Sequence, residues 1–393
     1  MARRLDGPGG FARRDRGVHT FGMKAVAVRQ ARRKVELVER RPPPLDSSTA
    51  VRLRVLEVGV CGTDAEICRF DYGGAPPPGK DELIVGHEAL AQVEETGASV
   101  STLKPGDLVV PMVRRPCPLR ECPACRSGHP DFCVTGKYTE RGIVGADGFL
   151  AEEVVEDQKY LVQAPAELRG IGVLTEPLTV AEKALRQFLL VRRRLPWLAE
   201  ASDAELMEGK HALVLGAGPV GLLGCMLLQL RGFAVTVYSR AASPNPRAAI
   251  AERVGAAYLS SEQVPLAQVA ERVGGIDFVY EATGASQLAF DTLEHLASNG
   301  VFVFTGVPGR KHRIEIAGDA LMRHLVLRNL TVLGTVNADR VDFDSAVRDL
   351  GSARQAWPGG PEALITGRYS MEQFCERALA KDKIKSVIAV AGS

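Results

Sequence analysis

Cys61, His87 and Glu88 are the residues whose types and spacing first suggest chemistry. Cys61 opens Cys61-Gly62-Thr63-Asp64, and His87-Glu88 follow Gly86. A thiolate, an imidazole and a carboxylate form a donor set suited to Zn²⁺, with one position left open for water or substrate. Met singly, a Cys or a His is more commonly a core residue; the three together, flanked by glycines, read as a metal centre. The interval from Cys61 to His87 is too long for one helix face, so a loop at each is expected to be brought together by the fold. Four more cysteines follow as Cys117-x4-Cys122-x2-Cys125-x7-Cys133. That pattern reads as a closed four-thiolate zinc site that braces a lobe with little core of its own.

A second chemistry starts at Gly216-Ala217-Gly218-Pro219-Val220-Gly221. An apolar run at 212–215 precedes it, an apolar helical stretch at 222–230 follows, and a second strand is expected at 234–238. In that βαβ setting the glycines let backbone amides approach a pyrophosphate at a helix N-terminus. The second strand ends in Tyr238-Ser239-Arg240, with Arg247 nearby and no carboxylate to take a ribose 2′-OH. Ser239 and Arg240 suit a 2′-phosphate instead, which makes NADP the expected cofactor and NAD the second choice.

These groups need a frame. At 393 residues, with 46% hydrophobic and 6% aromatic side chains, the chain can build two substantial domains. The 49 Lys+Arg against 47 Asp+Glu leave no basic surplus for nucleic acid and no acidic excess for disorder. No apolar run is long enough to span a bilayer. Five of the eight Cys belong to the two metal motifs, which points to a reducing compartment, the cytoplasm, rather than to a disulfide framework.

Residues 1–22 carry Arg3, Arg4, Arg13, Arg14 and Arg16 without apolar periodicity; a disordered extension is expected there, with Met23 as an alternative start. From 23 to about 163, short β-like runs at 51–58, 90–96, 107–113 and 148–155 alternate with Pro- and Gly-rich turns, the pattern of a compact β barrel. Apolar residues at helical spacing predict a helix over 180–191, and 192–210 read as a connection. Strands at 277–281, 301–305 and 330–333 would complete a doubly wound parallel sheet. The tail holds one more helical stretch and a last strand at 386–390, expected to return to the first domain.

Cys61-Gly62-Thr63-Asp64, Gly86-His87-Glu88, the cysteine lobe, Glu176-Pro177 and the glycine turn stand in the order found in the zinc-containing medium-chain dehydrogenase/reductase superfamily, which the chain resembles over about residues 23–390. Val113-Arg114-Arg115-Pro116, Tyr138-Thr139-Glu140-Arg141-Gly142-Ile143, Glu182-Lys183-Ala184-Leu185, Gly334-Thr335-Val336-Asn337 and Ile384-Lys385-Ser386-Val387-Ile388 are similar to its archaeal-type glucose 1-dehydrogenase branch. The resemblance implies a GroES-like β-barrel catalytic domain over 23–195, a Rossmann dinucleotide-binding domain with a doubly wound parallel sheet over 196–340, and a return to the catalytic domain over 341–393. It implies a catalytic zinc on Cys61, His87, Glu88 and Glu176, and a structural zinc on Cys117, Cys122, Cys125 and Cys133. Thr63 and Glu176 would be catalytic; Thr63, Glu140, Glu176 and Asn337 would bind the sugar; Gly216, Gly218, Pro219, Val220, Gly221, Ser239, Arg240, Asn337 and Lys385 would bind the cofactor. The implied activity is hydride transfer from C1 of an aldose, glucose first, to NADP, giving the lactone, in a homodimer or homotetramer. A polyol, cyclitol or amino-alcohol dehydrogenase, or an NADP-binding protein without catalysis, are the alternatives on the same scaffold. Two positions depart from the branch. Its first lobe cysteine would fall at Leu119, so Cys117 must substitute, and an acidic residue near the sugar would fall at Val180.

Overall fold

The computed structural model describes residues 22–309, 313–380 and 382–390. The disordered extension expected over 1–22 lies, Gly22 apart, outside the described residues. In the N-terminal half the central strand is Ala50–Val60. Val51, Leu53 and Val55 are buried while Arg52 and Arg54 turn outward, the period-two pattern of a strand with one face on a core. One edge pairs antiparallel with Glu88–Thr96, which sets Gly59 opposite Glu88. The other edge pairs with Glu153–Asp157 and then with Lys385–Ala389, where Ser386 faces Val60. Leu108–Pro111, Leu161–Ala164 and Ile365–Tyr369 extend this sheet, and Lys34–Arg40, Met23–Arg29 and Leu83–Ile84 form a second one beside it. Val26, Val28, Leu53, Val93, Phe149 and Leu150 fill the space between them.

The C-terminal half is a six-stranded sheet in the order Ala257–Ser260, Ala234–Ser239, His211–Leu215, Ile276–Glu281, Leu296–Phe304, Thr331–Gly334, parallel throughout. Its central strand shows why a continuous apolar run works here: Ala212 and Val214 join the core on one face, Leu213 and Leu215 the core on the other. The two halves share one core. The helices Thr175–Arg192, Pro219–Leu230 and Arg340–Ala356 pack together, and their cluster takes in Leu90 and Val110 from the first half and Val237 and Tyr280 from the second.

Three details differ from expectation. A helix, Gly62–Cys68, stands where a plain loop was expected after Cys61. The helix expected over 180–191 begins at Thr175, because Pro177 falls in its first turn, where the missing N–H has no intrahelical partner to lose. The strand Ile365–Tyr369 escaped notice because it is short, contains Gly367 and has no fully buried residue.

Candidate active site

Cys61 is the N-cap of the helix Gly62–Cys68, and its backbone N–H donates to Asp64 Oδ2 at 2.8 Å. That bond fixes the turn and aims the Asp64 side chain inward. His87 and Glu88 enter where Glu88–Thr96 begins beside Ala50–Val60. One donor atom each from Cys61, His87 and Glu88 lies within 4.8 Å of the others. His87 and Glu88 are buried and Cys61 is half-buried. Asp64 Oδ1 stands 3.4 Å from His87 Nδ1. Burial works against the charged imidazole, but the Asp64 carboxylate overcomes it and raises the His87 pKa. Asp64 Oδ1 and His87 Nδ1 are sealed from water and face each other without a closer partner among the described residues, and Glu88 Oε2 faces Lys385 Nζ. Buried ligand atoms of an imidazole and a carboxylate, converging with a thiol, fit a zinc ion.

Thr63 Oγ1 lies 3.8 Å from Cys61 Sγ. Glu176, second residue of its helix, is outside the triplet but inside its field. Burial lifts its carboxyl to about 7, opposed by His87 and Lys385 and reinforced by Glu88 and Asp64. Lys385 was expected at the cofactor phosphates. The structure buries it instead as an ion pair with Glu88, its Nζ donating to Val60 O at 3.1 Å. The strand pairing that sets Ser386 opposite Val60 brings the adjacent lysine to the triplet.

The four lobe cysteines also converge to within 4.8 Å of one another, Cys117 among them, two residues before the position the branch uses. Cys117 N–H donates to Cys125 Sγ at 3.3 Å. Burial raises the Cys133 thiol, but hydrogen bonds from Thr135 outweigh it and bring it down to about 6, while burial drives Cys125 up to about 12. Four sulfurs this close cannot all be thiolates unless a cation joins them, so the lobe fits a zinc as well. A third group, His129, Asp131 and Asp339, is equally compact, but its charges are already spoken for: His129 by Asp339 at 2.5 Å and Asp131 by Lys183 at 2.7 Å.

Glu140 and Asn337, both expected at the sugar, meet each other. Asn337 Nδ2 donates to Glu140 Oε1 at 2.9 Å across 197 residues of chain. Arg114 donates to the same oxygen from Nε and Nη2 at 3.0 and 2.9 Å. Asn337 sits at φ 55°, a left-handed conformation that Asn tolerates better than most residues. Its amide meets Glu140, and no hydrogen bond joins it to the cofactor turn among the described residues. The loop after Glu140 packs on the backbone next to His87: a Cβ at Gly142 would meet Gly86 O at 2.3 Å. A cleft of about 240 Å³, lined by Cys61, Gly62, Glu66, Arg69, Lys383 and Ser386, opens beside the triplet.

The three glycines of the turn have three different jobs. Gly216 has φ +104° and makes the bend. A Cβ at Gly221 would lie 2.1 Å from Gly216 O, so helix and strand touch only through glycine. A Cβ at Gly218 would meet nothing within 4 Å: this side of the turn is open, at the N-terminus of the helix Pro219–Leu230. An open cradle of backbone amides at that place fits a dinucleotide pyrophosphate. Pro219 and Val220 are the first two residues of that helix. Ser239 ends the neighbouring strand half-buried, and Arg240 follows it, exposed. Arg247 reaches the glycine turn itself, donating to Ala217 O at 2.8 Å, and also donates to Lys383 O at 3.2 Å.

Sequence reasoning gave no role to Asp64, Arg114, Asp131 or Lys183. The capping-box spacing of Asp64, three residues after Cys61, was the one available signal.

Comparison with known proteins places the chain in a family. Residues 47–166 match the alcohol dehydrogenase GroES-like domain and residues 169–390 the glucose dehydrogenase C-terminus. A glucose 1-dehydrogenase of Methanocella arvoryzae is 36% identical over 94% of this chain and 99% of its own length. One from Thermoproteus tenax is 41% identical over 89% of this chain and 94% of its own. The crystallised Haloferax mediterranei glucose dehydrogenase in complex with NADP, Zn and gluconolactone is 33% identical, superposes with a TM-score of 0.82, and is covered fully by 94% of this chain.

Proposed function

This chain belongs to the glucose dehydrogenase family of GroES-like alcohol dehydrogenases, and from that premise we propose that it oxidises an aldose, glucose first, at C1 with NADP as hydride acceptor, releasing the lactone. The single observation that carries this is the likeness, over nearly the whole chain, to a dehydrogenase crystallised with NADP, zinc and gluconolactone, in a chain whose own Cys61, His87 and Glu88 converge. Residues 23–195 and 341–393 form the catalytic part and 196–340 the dinucleotide part.

A zinc held by Cys61, His87 and Glu88, with Glu176 nearby, would acidify the sugar hydroxyl as a Lewis acid, and NADP would accept the hydride. The chain supplies the rest. Asp64 holds the Cys61 turn through its N–H and orients His87 from 3.4 Å. Lys385 neutralises Glu88. The Thr63 hydroxyl receives the sugar's proton and passes it outward, which an apolar side chain could not do. Glu140 and Asn337, already bonded to each other, offer their remaining polar atoms to sugar hydroxyls. Gly216, Gly218 and Gly221 admit the pyrophosphate, and Ser239 and Arg240 meet the 2′-phosphate. Cys117, Cys122, Cys125 and Cys133 hold a second zinc that stabilises the lobe.

The chain assembles as a homodimer or homotetramer. Thr331–Gly334 is an edge strand of the parallel sheet with Val332 exposed, and Met322, Val326 and Leu327 are exposed on the helix Gly318–Leu327 before it, apolar surface that pairing with a second copy would cover. No helix among the described residues is long and apolar enough to cross a membrane, and all eight cysteines are free, which fits a reducing cytoplasm.

Turnover of glucose, galactose, xylose, sorbitol, inositol and threonine, each with NADP and NAD, tests the proposal. The highest kcat/KM is expected for glucose with NADP. A preference for sorbitol, inositol or threonine would move the chain to the polyol, cyclitol or amino-alcohol alternative, and no turnover with any of them would leave a non-catalytic NADP-binding protein.

A further inference from the structure

Asp131 and Lys183 lie outside the chemistry described above, yet both are buried and charged. Asp131 belongs to the cysteine lobe, between Cys125 and Cys133; Lys183 belongs to the helix Thr175–Arg192. Lys183 Nζ donates to Asp131 Oδ2 at 2.7 Å and to the backbone carbonyl of Val336 at 2.9 Å. The other Asp131 oxygen is sealed without a partner among the described residues, so Lys183 is the side-chain contact that keeps this carboxylate in the interior. Val336 is followed by Asn337 in its left-handed conformation, and Asn337 Nδ2 donates to Glu140 Oε1. Arg114 donates to that same oxygen and, from Nη1, to the backbone carbonyl of Asp131 at 3.3 Å. The contacts close a ring: Asp131, Lys183, Val336–Asn337, Glu140, Arg114 and back to Asp131. Outside the ring, His129 Nδ1 on the same lobe meets Asp339 Oδ2 at 2.5 Å, two residues past Asn337.

We propose that Asp131 and Lys183 are positioning residues for the sugar: through the Val336 carbonyl they hold Asn337, and through Asn337 they hold Glu140, so that the cysteine lobe sets the geometry of sugar binding as well as bracing the fold. This rests on Glu140 and Asn337 being the sugar contacts. Neither Asp131 nor Lys183 touches substrate. Their effect should therefore fall on sugar affinity and spare the cofactor, whose cradle lies in the other half of the molecule.

The test compares wild type with Lys183→Met, Asp131→Asn/Lys183→Met and Glu140→Gln, measuring KM for glucose, KM for NADP, kcat and Tm. Lys183→Met strands a buried carboxylate and should lower Tm; the double variant removes that unpaired charge and should recover much of it. A merely structural pair predicts that glucose KM recovers with Tm. A positioning pair predicts that it does not, because the Val336 carbonyl still lacks its charged donor; glucose KM should stay raised roughly tenfold or more in both variants, with NADP KM unchanged. The inference is overturned if glucose KM in the double variant returns to the wild-type value, or if NADP KM rises in step with it. Glu140→Gln separates the two layers. If it raises glucose KM and Lys183→Met does not, the positioning role fails alone; if Glu140→Gln leaves glucose KM untouched, the sugar-contact assignment fails and takes the positioning role with it.

Discussion

Replacing Gly218 by Ala separates a cofactor cradle from an ordinary tight turn. Gly218 has φ −75° and ψ 178°, extended backbone that Ala adopts freely even ahead of Pro219. Its added Cβ would meet no atom within 4 Å. The folded protein therefore loses nothing, and the unfolded chain loses freedom, which favours the variant by about 0.4–1 kcal/mol. Tm should stay level or rise by about 1–2 °C. Bound cofactor tells a different story. The methyl group stands on the open side of the turn, where phosphate oxygens must approach the helix N-terminal amides. Weakening one charge-assisted hydrogen bond costs about 1.5–3 kcal/mol, which is roughly a ten- to hundredfold loss of affinity. The loss should be equal for NADP and NAD, since the turn contacts the part they share. Gly221→Ala is the contrast: its Cβ would lie 2.1 Å from Gly216 O, so Tm should fall before binding is considered. Titration of NADPH and NADH fluorescence, with thermal melts, reads both effects. A Gly218→Ala protein that binds both cofactors as tightly as wild type would refute the cradle.

Arg240→Ala should raise KM for NADP roughly ten- to hundredfold and leave NAD nearly unchanged if the exposed guanidinium meets only the 2′-phosphate, as proposed; equal loss of both cofactors would contradict that placement. Cys61→Ser should lose about one zinc per chain by elemental analysis, together with activity, and full retention of metal would remove Cys61 from the ligand set. Glu182 offers a pH-dependent test away from the active site. It is buried on the helix Thr175–Arg192, facing Asp349, Arg231 and Asp342, and burial with the Asp349 carboxylate lifts its pKa to about 9. A carboxyl whose folded pKa is raised stabilises the fold fully below its unfolded value and loses that contribution as pH climbs through the folded value. Wild type should lose stability from this group between pH 5 and 9, at up to about 1.4 kcal/mol per pH unit. Glu182→Gln, permanently neutral, should flatten that slope in melts across the range, and identical slopes would show that Glu182 stays ionised.

The parts legible in the sequence were those whose chemistry is local. Gly216, Gly218 and Gly221 lie within one turn, and the four lobe cysteines within seventeen residues, so spacing alone announced them. The alternation that sends Ala212 and Val214 to one core and Leu213 and Leu215 to the other needed only the apolar run to be noticed. Illegible were the contacts that chain topology creates. Lys385 reaches Val60 across 325 residues because the last strand returns to the first sheet, and no local pattern says that its ammonium is taken by Glu88. Lys183 looked like one residue of an amphipathic helix; that it is buried follows only once the Val336 carbonyl and Asp131 are placed opposite it. Glu140 and Asn337 came from the resemblance as separate sugar contacts, and their mutual hydrogen bond is a property of the fold.

Glucose carrying deuterium at C1 tests the proposed reaction most directly. Incubation with the enzyme and NADP, followed by NMR of the reduced cofactor and of the sugar product, traces the hydride itself. Transfer from C1 to the nicotinamide predicts deuterium on C4 of NADPH, in proportion to lactone formed, with turnover slower than for unlabelled glucose. NADPH free of deuterium, with the label kept on the sugar, would place the oxidation at another carbon and contradict the assignment.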